Sequence, residues 1–411
     1  MTVRRSVNRL VLGPIVGHAT HDTCTIWIQV FDDPARYQLR VTGVGLFPFV
    51  STEAQGVLEF GTAIAVAHDL RPDWRHSYTV LRDGRKVVAA RGSFRTMPLP
   101  GSSASILFCP ISCNRAGELG AWEAFQAFVE NALPHFVLMM GDQVYMDEDE
   151  PDVFVEHLDS DPAIRRRALA EKIRLNWSRE PIRKVMANVP TYMMWDDHDI
   201  RDGWGSSASD SPTLASRFPR GRTIFELCDA WFRDARDVYW HFQACRNPPL
   251  DPPFAGPPFV GRQAMPWVFR CGRLLVLMLD SRGERDVFRA EFPVLGSLQW
   301  AYIDQVLGAL PADVDALVVM TPTPLTSMDP NGASQKLLGG RTDDVVAFRR
   351  GDRKNALDPV STEEKAQLAL AFAGSHLSRL SGAPVNLGNF KISNIDEARD
   401  QWSNQFCRAE Q

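Results

Sequence analysis

HFVLMMGDQVYMD, residues 135–147, decides the reading of this chain. An apolar run from Phe136 to Met140 stops at Gly141-Asp142 and gives way to Tyr145 and a crowd of acids: Asp147, Glu148, Asp149, Glu150 and Asp152. A run this short and apolar at every position reads as a strand buried on both faces, the habit of parallel sheets. One polar residue is enough to stop such a strand, whereas clustered carboxylates repel one another. Either the turn is a solvated acidic loop, the usual fate of a charge block, or it is a cation site. In the second case carboxylates and a phenolate act as hard ligands for ferric iron, calcium, magnesium or manganese, and Gly141 gives the backbone its tight turn.

The same pattern recurs along the chain. SILFCP (105–110), TYMMWDD (191–197), RLLVLMLD (273–280) and DALVVMTP (315–322) are short, strongly apolar runs that end in polar residues, and all are predicted as strands buried on both faces. Helical patterns lie between or beyond them. ELGAWEAFQAFVENAL (118–133) sets Leu119, Trp122, Phe125, Phe128 and Val129 on one stripe. TIFELCDAWFRDARDVYWHF (223–242) and STEEKAQLALAFAGSHLSRL (361–380) behave alike, the latter opening with Ser361 and Glu364 as a capping box. Strands alternating with helices define an α/β domain.

Residues before about 98 follow another rule. LVLGPIVG, TCTIWIQV, YQLRVTGV, TAIAVAHDL, HSYTVLRDG and GSFRTMP are short runs rich in β-branched and aromatic residues, separated by Gly, Asp and Pro, as in a β-sandwich. Asp83-Gly84 is a hairpin turn. MPLPGSSAS, from residue 97, breaks all periodicity. The expected organisation is a β-sandwich over 1–98, a linker over 99–105 and an α/β domain over 106–411.

At 411 residues, 45% of them hydrophobic, the chain can bury more than one core. A net charge of −5 argues against a nucleic-acid groove or an anionic membrane surface. No apolar run is long enough to span a bilayer, and the N-terminus lacks the pattern of a signal peptide. Seven scattered cysteines read as reduced thiols, so a cytoplasmic location is expected.

Functional groups in α/β domains gather beyond the carboxyl ends of strands. Four strand ends here carry suitable chemistry: Ser112, Cys113 and Asn114; Asp142 and Tyr145; Asp196, Asp197, His198 and Asp199; Asp280 and Arg282. Singly, Cys113 reads as a buried thiol, Tyr145 as a packed aromatic, and Asp280 with Arg282 as an ion pair. Three carboxylates around His198 are different, because they disfavour one another unless a cation, arginines or protonation compensates.

These motifs, in this order, resemble those of the alkaline phosphatase D (PhoD-like) family of metallophosphatases: a strand-end Ser-Cys, GDQVYMD, DDHD with Asp199 where the family has glutamate, and LDSR. LGPIVGHATHDTCTIWIQV and SFRTMP resemble that family's N-terminal segment. The resemblance implies a calcineurin-like core of two packed sheets flanked by helices, preceded by a fibronectin/Ig-like sandwich. It further implies a centre of ferric iron with calcium or another divalent ion acting on phosphate monoesters or diesters. Carried over, Cys113 and Tyr145 bind the iron, Asp142 bridges, Asp197 binds the second metal, His198 gives a proton to the leaving alkoxide, and Arg282 meets the substrate. Asp147 supports from behind, while Glu148 to Asp152 stay solvated.

One departure stands out. After text like DQWSNQFCRAEQ (400–411), the family continues into a strand ending in GD-x-H, and no such motif occurs in these 411 residues; the only histidine after His241 is His376. The expectation is a family member lacking that segment, with a loosely held second metal and weak hydrolysis. The alternative is an impaired or truncated relative serving as a metal-binding or scaffold protein.

Overall fold

The structure, a computed structural model, describes residues 8–323 apart from 53–56, 118, 148–151, 202–203, 206–223, 260 and 286–293. The expected helix at 361–380, His376, Cys407 and the segment 400–411 lie outside the described residues, as do Glu148, Asp149 and Glu150. The chain divides into two compact units, the first drawn from 1–202, 230–283 and 297–322 and the second from 203–229, 284–296 and 323 onward. The first unit holds every strand among the described residues.

Eight strands form the N-terminal part: β1 (Leu12–Ala19), β2 (Cys24–Val30), β3 (Tyr37–Val41), β4 (Gly45–Pro48), β5 (Val50–Ser51), β6 (Gly61–Ala67), β7 (Arg75–Arg82) and β8 (Arg85–Arg95). They make two antiparallel sheets, ordered β1-β2-β6-β5 and β4-β3-β7-β8. The β7–β8 turn has positive φ at both Asp83 (48°) and Gly84 (75°), the backbone that matches strand twist in a two-residue hairpin. β3 alternates buried and exposed residues, whereas β2 is buried at every position except Thr25. β2 has no solvent face because the α/β layers cover it. The Trp27 Nε1–H donates to the His241 carbonyl at 2.8 Å, and the Trp27 ring lies 5.5 Å from Phe242.

The α/β part runs β9 (Phe108–Ile111), α1 (Leu119–Ala132), β10 (Phe136–Met140), α2 (Val153–His157), α3 (Pro162–Trp177), α4 (Glu180–Met186), β11 (Thr191–Met194), α5 (Ile224–Phe242), β12 (Trp267–Cys271), β13 (Leu274–Met278), α6 (Ser297–Gly308) and β14 (Ala316–Met320). One sheet is parallel, ordered β11-β10-β9. The other, β12-β13-β14, pairs β12 antiparallel and β14 parallel to β13. Aromatic side chains join the two sheets: Tyr192 stacks on Phe269 at 4.3 Å, and Phe136 meets Phe269 edge-on at 5.2 Å. No helix among the described residues is long and apolar enough to cross a membrane.

Two expectations need correction. β10, β11 and β13 are buried on both faces, but β9 and β14 are not: on β9 only Cys109 is buried and Pro110 is exposed, and on β14 Val319 is 42% exposed. Among the described residues β14 has a single strand neighbour, β13. On α1 the predicted stripe is split, with Trp122 and Val129 buried while Leu119 and Phe128 are exposed.

A half-buried and a buried histidine tie this packing to pH. His18 shares a 3.3 Å hydrogen bond with the Tyr192 hydroxyl, and His241 one of 3.0 Å with Thr52 Oγ1. Burial pushes both imidazoles down to about 4. The unfolded chain takes up these protons near pH 6.5, before the folded one does, so stability is full above pH 6.5 and falls as pH drops toward 4. The loss is about 3 kcal/mol per histidine. Denaturant midpoints measured between pH 7 and 4 should fall accordingly, and the His18→Gln/His241→Gln variant should be flatter. An unchanged slope in that variant would remove these residues from the account.

Candidate metal centre

The candidate site lies beyond the carboxyl ends of β9, β10 and β11, three adjacent parallel strands. Each end turns sharply. Cys113 and Asp142 hold φ of 61° and 53°, a region L residues enter at some cost and which clusters at functional sites. The two turns are laced together, with Cys113 N–H donating to the Gly141 carbonyl at 3.2 Å and Asn114 N–H to the Asp142 carbonyl at 2.8 Å. Gly141 (φ 109°) cannot be replaced, since a Cβ there would lie 2.4 Å from the Asp196 Cβ.

Asp142 is the focus. The Cys113 thiol and the Tyr145 hydroxyl both donate to its Oδ2, at 3.7 and 3.2 Å, and the His198 N–H donates to Oδ1 at 3.3 Å. Asp142, Asp196 and Asp197 present ligand atoms within 4.8 Å of one another. Desolvation holds the Asp142 carboxyl well above the usual carboxylate range, and the charges of Asp197 and Asp196 add to it. The Tyr145 phenol is raised likewise, by burial and then by Asp142 and Cys113. A thiol and a phenol gathered on one buried carboxylate, with two further carboxylates beside it, form a donor set that a cation would relieve, so the residues fit a metal.

DDHD folds into a short 3-10 turn, Asp197–Asp199, that separates its members. Asp199 faces away from the cluster, accepting from Asp196 N–H (3.0 Å), Gln143 N–H (3.2 Å) and Gln243 Nε2–H (3.0 Å), and burial raises it to about 6. It staples the Asp142 turn to the Asp197 turn, a bond-making task within aspartate's reach. His198 Nδ1 is 2.7 Å from Asp147 Oδ1, and its ring lies 4.2 Å from Tyr145. Burial would lower this imidazole, but the hydrogen bond to Asp147 and the charges of Asp197, Asp147 and Asp142 outweigh it and push the pKa up to about 11. Asp152 is not buried and also caps α2, its carboxylate accepting from Val155 N–H at 2.9 Å.

Arg282 is fully buried. Its Nε pairs with Asp196 and its Nη2 lies 3.3 Å from Asp197 Oδ1, so it meets the carboxylates rather than open solvent. Asp280 fixes that loop, accepting from Trp195 Nε1–H, Arg282 N–H and Gly283 N–H at 2.9 Å each. Asp196 is the cluster member the sequence left unassigned. Its neighbour Asp197 was the only signal, and spacing alone does not tell which of two adjacent carboxylates turns inward.

Residues 107–311 match the family model for PhoD-like phosphatase, and the chain carries a domain of that family. Residues 7–99 match a domain of unknown function, DUF7800. Among solved structures, one titled "Structure of PhoD" is similar with a TM-score of 0.58 and 17% identity, covering 81% of this chain and 66% of that one. A purple acid phosphatase, PPD1, from yellow lupin (Lupinus luteus) seeds gives a TM-score of 0.49 and 12% identity, covering 79% of this chain and 52% of that one. The chain thus spans just under two thirds of the PhoD structure's length. No curated protein matches it.

Proposed function

We propose that this chain is a metal-dependent phosphoesterase of the alkaline phosphatase/phosphodiesterase D type. The observation that supports it is the convergence on one carboxylate, Asp142, of a thiol, a phenol and a backbone N–H from three strand ends, with Asp196 and Asp197 alongside. Cys113, Tyr145 and Asp142 would hold ferric iron; Asp142, Asp196 and Asp197 would hold calcium or another divalent ion. Bound there, the cations supply charge that draws in phosphate oxygens and acidifies a water for in-line attack.

The chain's own residues do the rest. Asp147 fixes Nδ1 of His198, which leaves Nε2–H to deliver a proton to the leaving alkoxide. Cations beside the carboxylates would weaken their pull on the imidazole and bring its pKa down toward a working acid's range. Arg282, buried against Asp196 and Asp197, is a positioning residue that steers both carboxylates.

Colour tests the iron assignment without relying on turnover. Thiolate and phenolate donate electron density to ferric iron, so an iron-loaded preparation should absorb visible light, and Cys113→Ser with Tyr145→Phe should bleach it. Stoichiometric ferric iron in a colourless protein would contradict the placement. Release of nitrophenol from a chromogenic phosphodiester and a monoester, read beside elemental analysis, tests the reaction itself.

A further inference from the structure

A cavity of about 200 Å³ opens beside Cys113, lined by Ile111, Cys113, Ala121, Trp122, Phe125 and Met139, with Ser112 and Asn114 at its polar edge. Its walls come from the end of β9, one buried residue of β10 and the first turns of α1. The polarity at that edge is spent inward: Asn114 Nδ2–H donates to the Gln143 carbonyl (3.0 Å) and Asn176 Oδ1 (2.9 Å), and its Oδ1 accepts from Trp122 Nε1–H (2.6 Å). Trp122 and Phe125 meet edge-on at 5.8 Å and make the aromatic wall. No charged side chain lines the cavity.

Its position gives the cavity a role. Cys113 belongs both to its rim and to the carboxylate cluster, since its Sγ lies 3.7 Å from Asp142 Oδ2. A phosphate held at that cluster would therefore have one ester substituent within reach of the apolar walls. At about 30 Å³ per water-sized group, the cavity holds on the order of six heavy atoms, a short alkyl chain or one ring. A sugar or charged head would leave its polar groups without partners against Trp122, Phe125 and Met139, at a cost in affinity.

Resting on the phosphoesterase reading, we infer that the substrate's organic group is a small, uncharged, apolar one seated in this cavity against the wall made by Trp122 and Phe125. This cavity then sets specificity, with the metal cluster gripping only the phosphate. Each methylene entering such a cavity raises affinity about four-fold.

The test uses non-hydrolysable alkylphosphonates, methyl to decyl, titrated calorimetrically into the metal-loaded full chain. Affinity should rise about 60-fold from methyl to butyl, continue to rise until the chain fills the cavity at about six carbons, and then level off. Ala121→Leu, on the exposed side of α1, should shorten the chain length at which the rise stops. Phe125→Ala should lengthen it, a shift that a damaged fold does not produce. A flat series in the parent, or the same plateau in both variants, overturns the inference; if chromogenic esters are still hydrolysed, the phosphoesterase reading survives it. Chain-length-dependent binding with no hydrolysis of any ester keeps the cavity's role and removes the hydrolytic reading.

Discussion

Asp142→Asn is expected to abolish metal binding and phosphoester hydrolysis together while making the metal-free protein harder to unfold. Asparagine keeps the shape, and it tolerates the left-handed backbone (φ 53°) better than almost any other residue. With its carbonyl oxygen at the Oδ2 position it can still accept from Cys113 and Tyr145, while the amide NH2 replaces Oδ1 and loses only the 3.3 Å bond from the His198 N–H. What disappears is a negative charge placed where desolvation and two neighbouring aspartates already oppose it. Removing that charge relieves the empty site, so the metal-free variant should melt above the metal-free parent. With metals the sign reverses. Supporting residues behind a metal ligand are worth about 10–100-fold in affinity, and a ligand shared by two cations should be worth more than that. Metal stoichiometry, melting temperature in chelator and turnover can be read on one preparation. Unchanged metal occupancy in the variant would end Asp142's role as the shared ligand.

That opposition of signs is what a site built for cations should show. The clustered carboxylates work against the metal-free fold, which holds them with devices of its own. Arg282 sits under Asp196 and Asp197, Asp199 staples two turns through three hydrogen bonds, and Asp280 pins the loop that carries Arg282. These residues touch no solvent-facing chemistry, yet their loss should loosen the ligands they aim.

The sequence carried the strand ends because parallel strands buried on both faces appear as unbroken apolar runs, and β10, β11 and β13 are of that kind. The Asp83-Gly84 turn was legible for a local reason, its demand for two positive φ angles. α3 was not read, because its buried side carries charge. Arg165 and Lys172 are buried there, and Arg165 is satisfied by Asp234 at 2.6 Å, a partner 69 positions away that no local pattern reveals. In the site, residue types and order were legible from motifs, but division of labour within DDHD was not. It depends on which carboxylate meets Gln143 and Gln243, a matter of tertiary contact. Arg282 illustrates the same limit: its motif was visible, and its burial beneath two aspartates was not.

Gly92→Val should be among the most damaging substitutions outside the site, costing about 3–5 kcal/mol. Gly92 lies on β8 opposite Tyr78, where the N-terminal sheet meets the segment between α4 and β11. A Cβ at this position would fall 2.0 Å from the Ala187 carbonyl oxygen and 2.8 Å from the Tyr78 hydroxyl. The first neighbour is backbone and cannot swing aside. Relief requires the strand to retreat, which breaks the Tyr78 O–H bond to that carbonyl (2.9 Å) and the bond from Ser93 N–H to Asn188 Oδ1 (3.0 Å). Overpacking costs about 1–3 kcal/mol and each of the two polar groups left unpaired about as much again, a range of about 3–9 kcal/mol whose lower part applies because Asn188 is only half-buried and water can replace its bond. Gly120→Ala is the control: it sits in α1 with nothing near its Cβ position, so it should be neutral or slightly stabilising. Because β8 and α4 belong to one compact unit, Gly92→Val should lower a single melting transition that reports both the sandwich and the α/β core. If the variant instead splits the transition in two, or leaves the melting temperature where it was, the contact at Ala187 does not join the two parts.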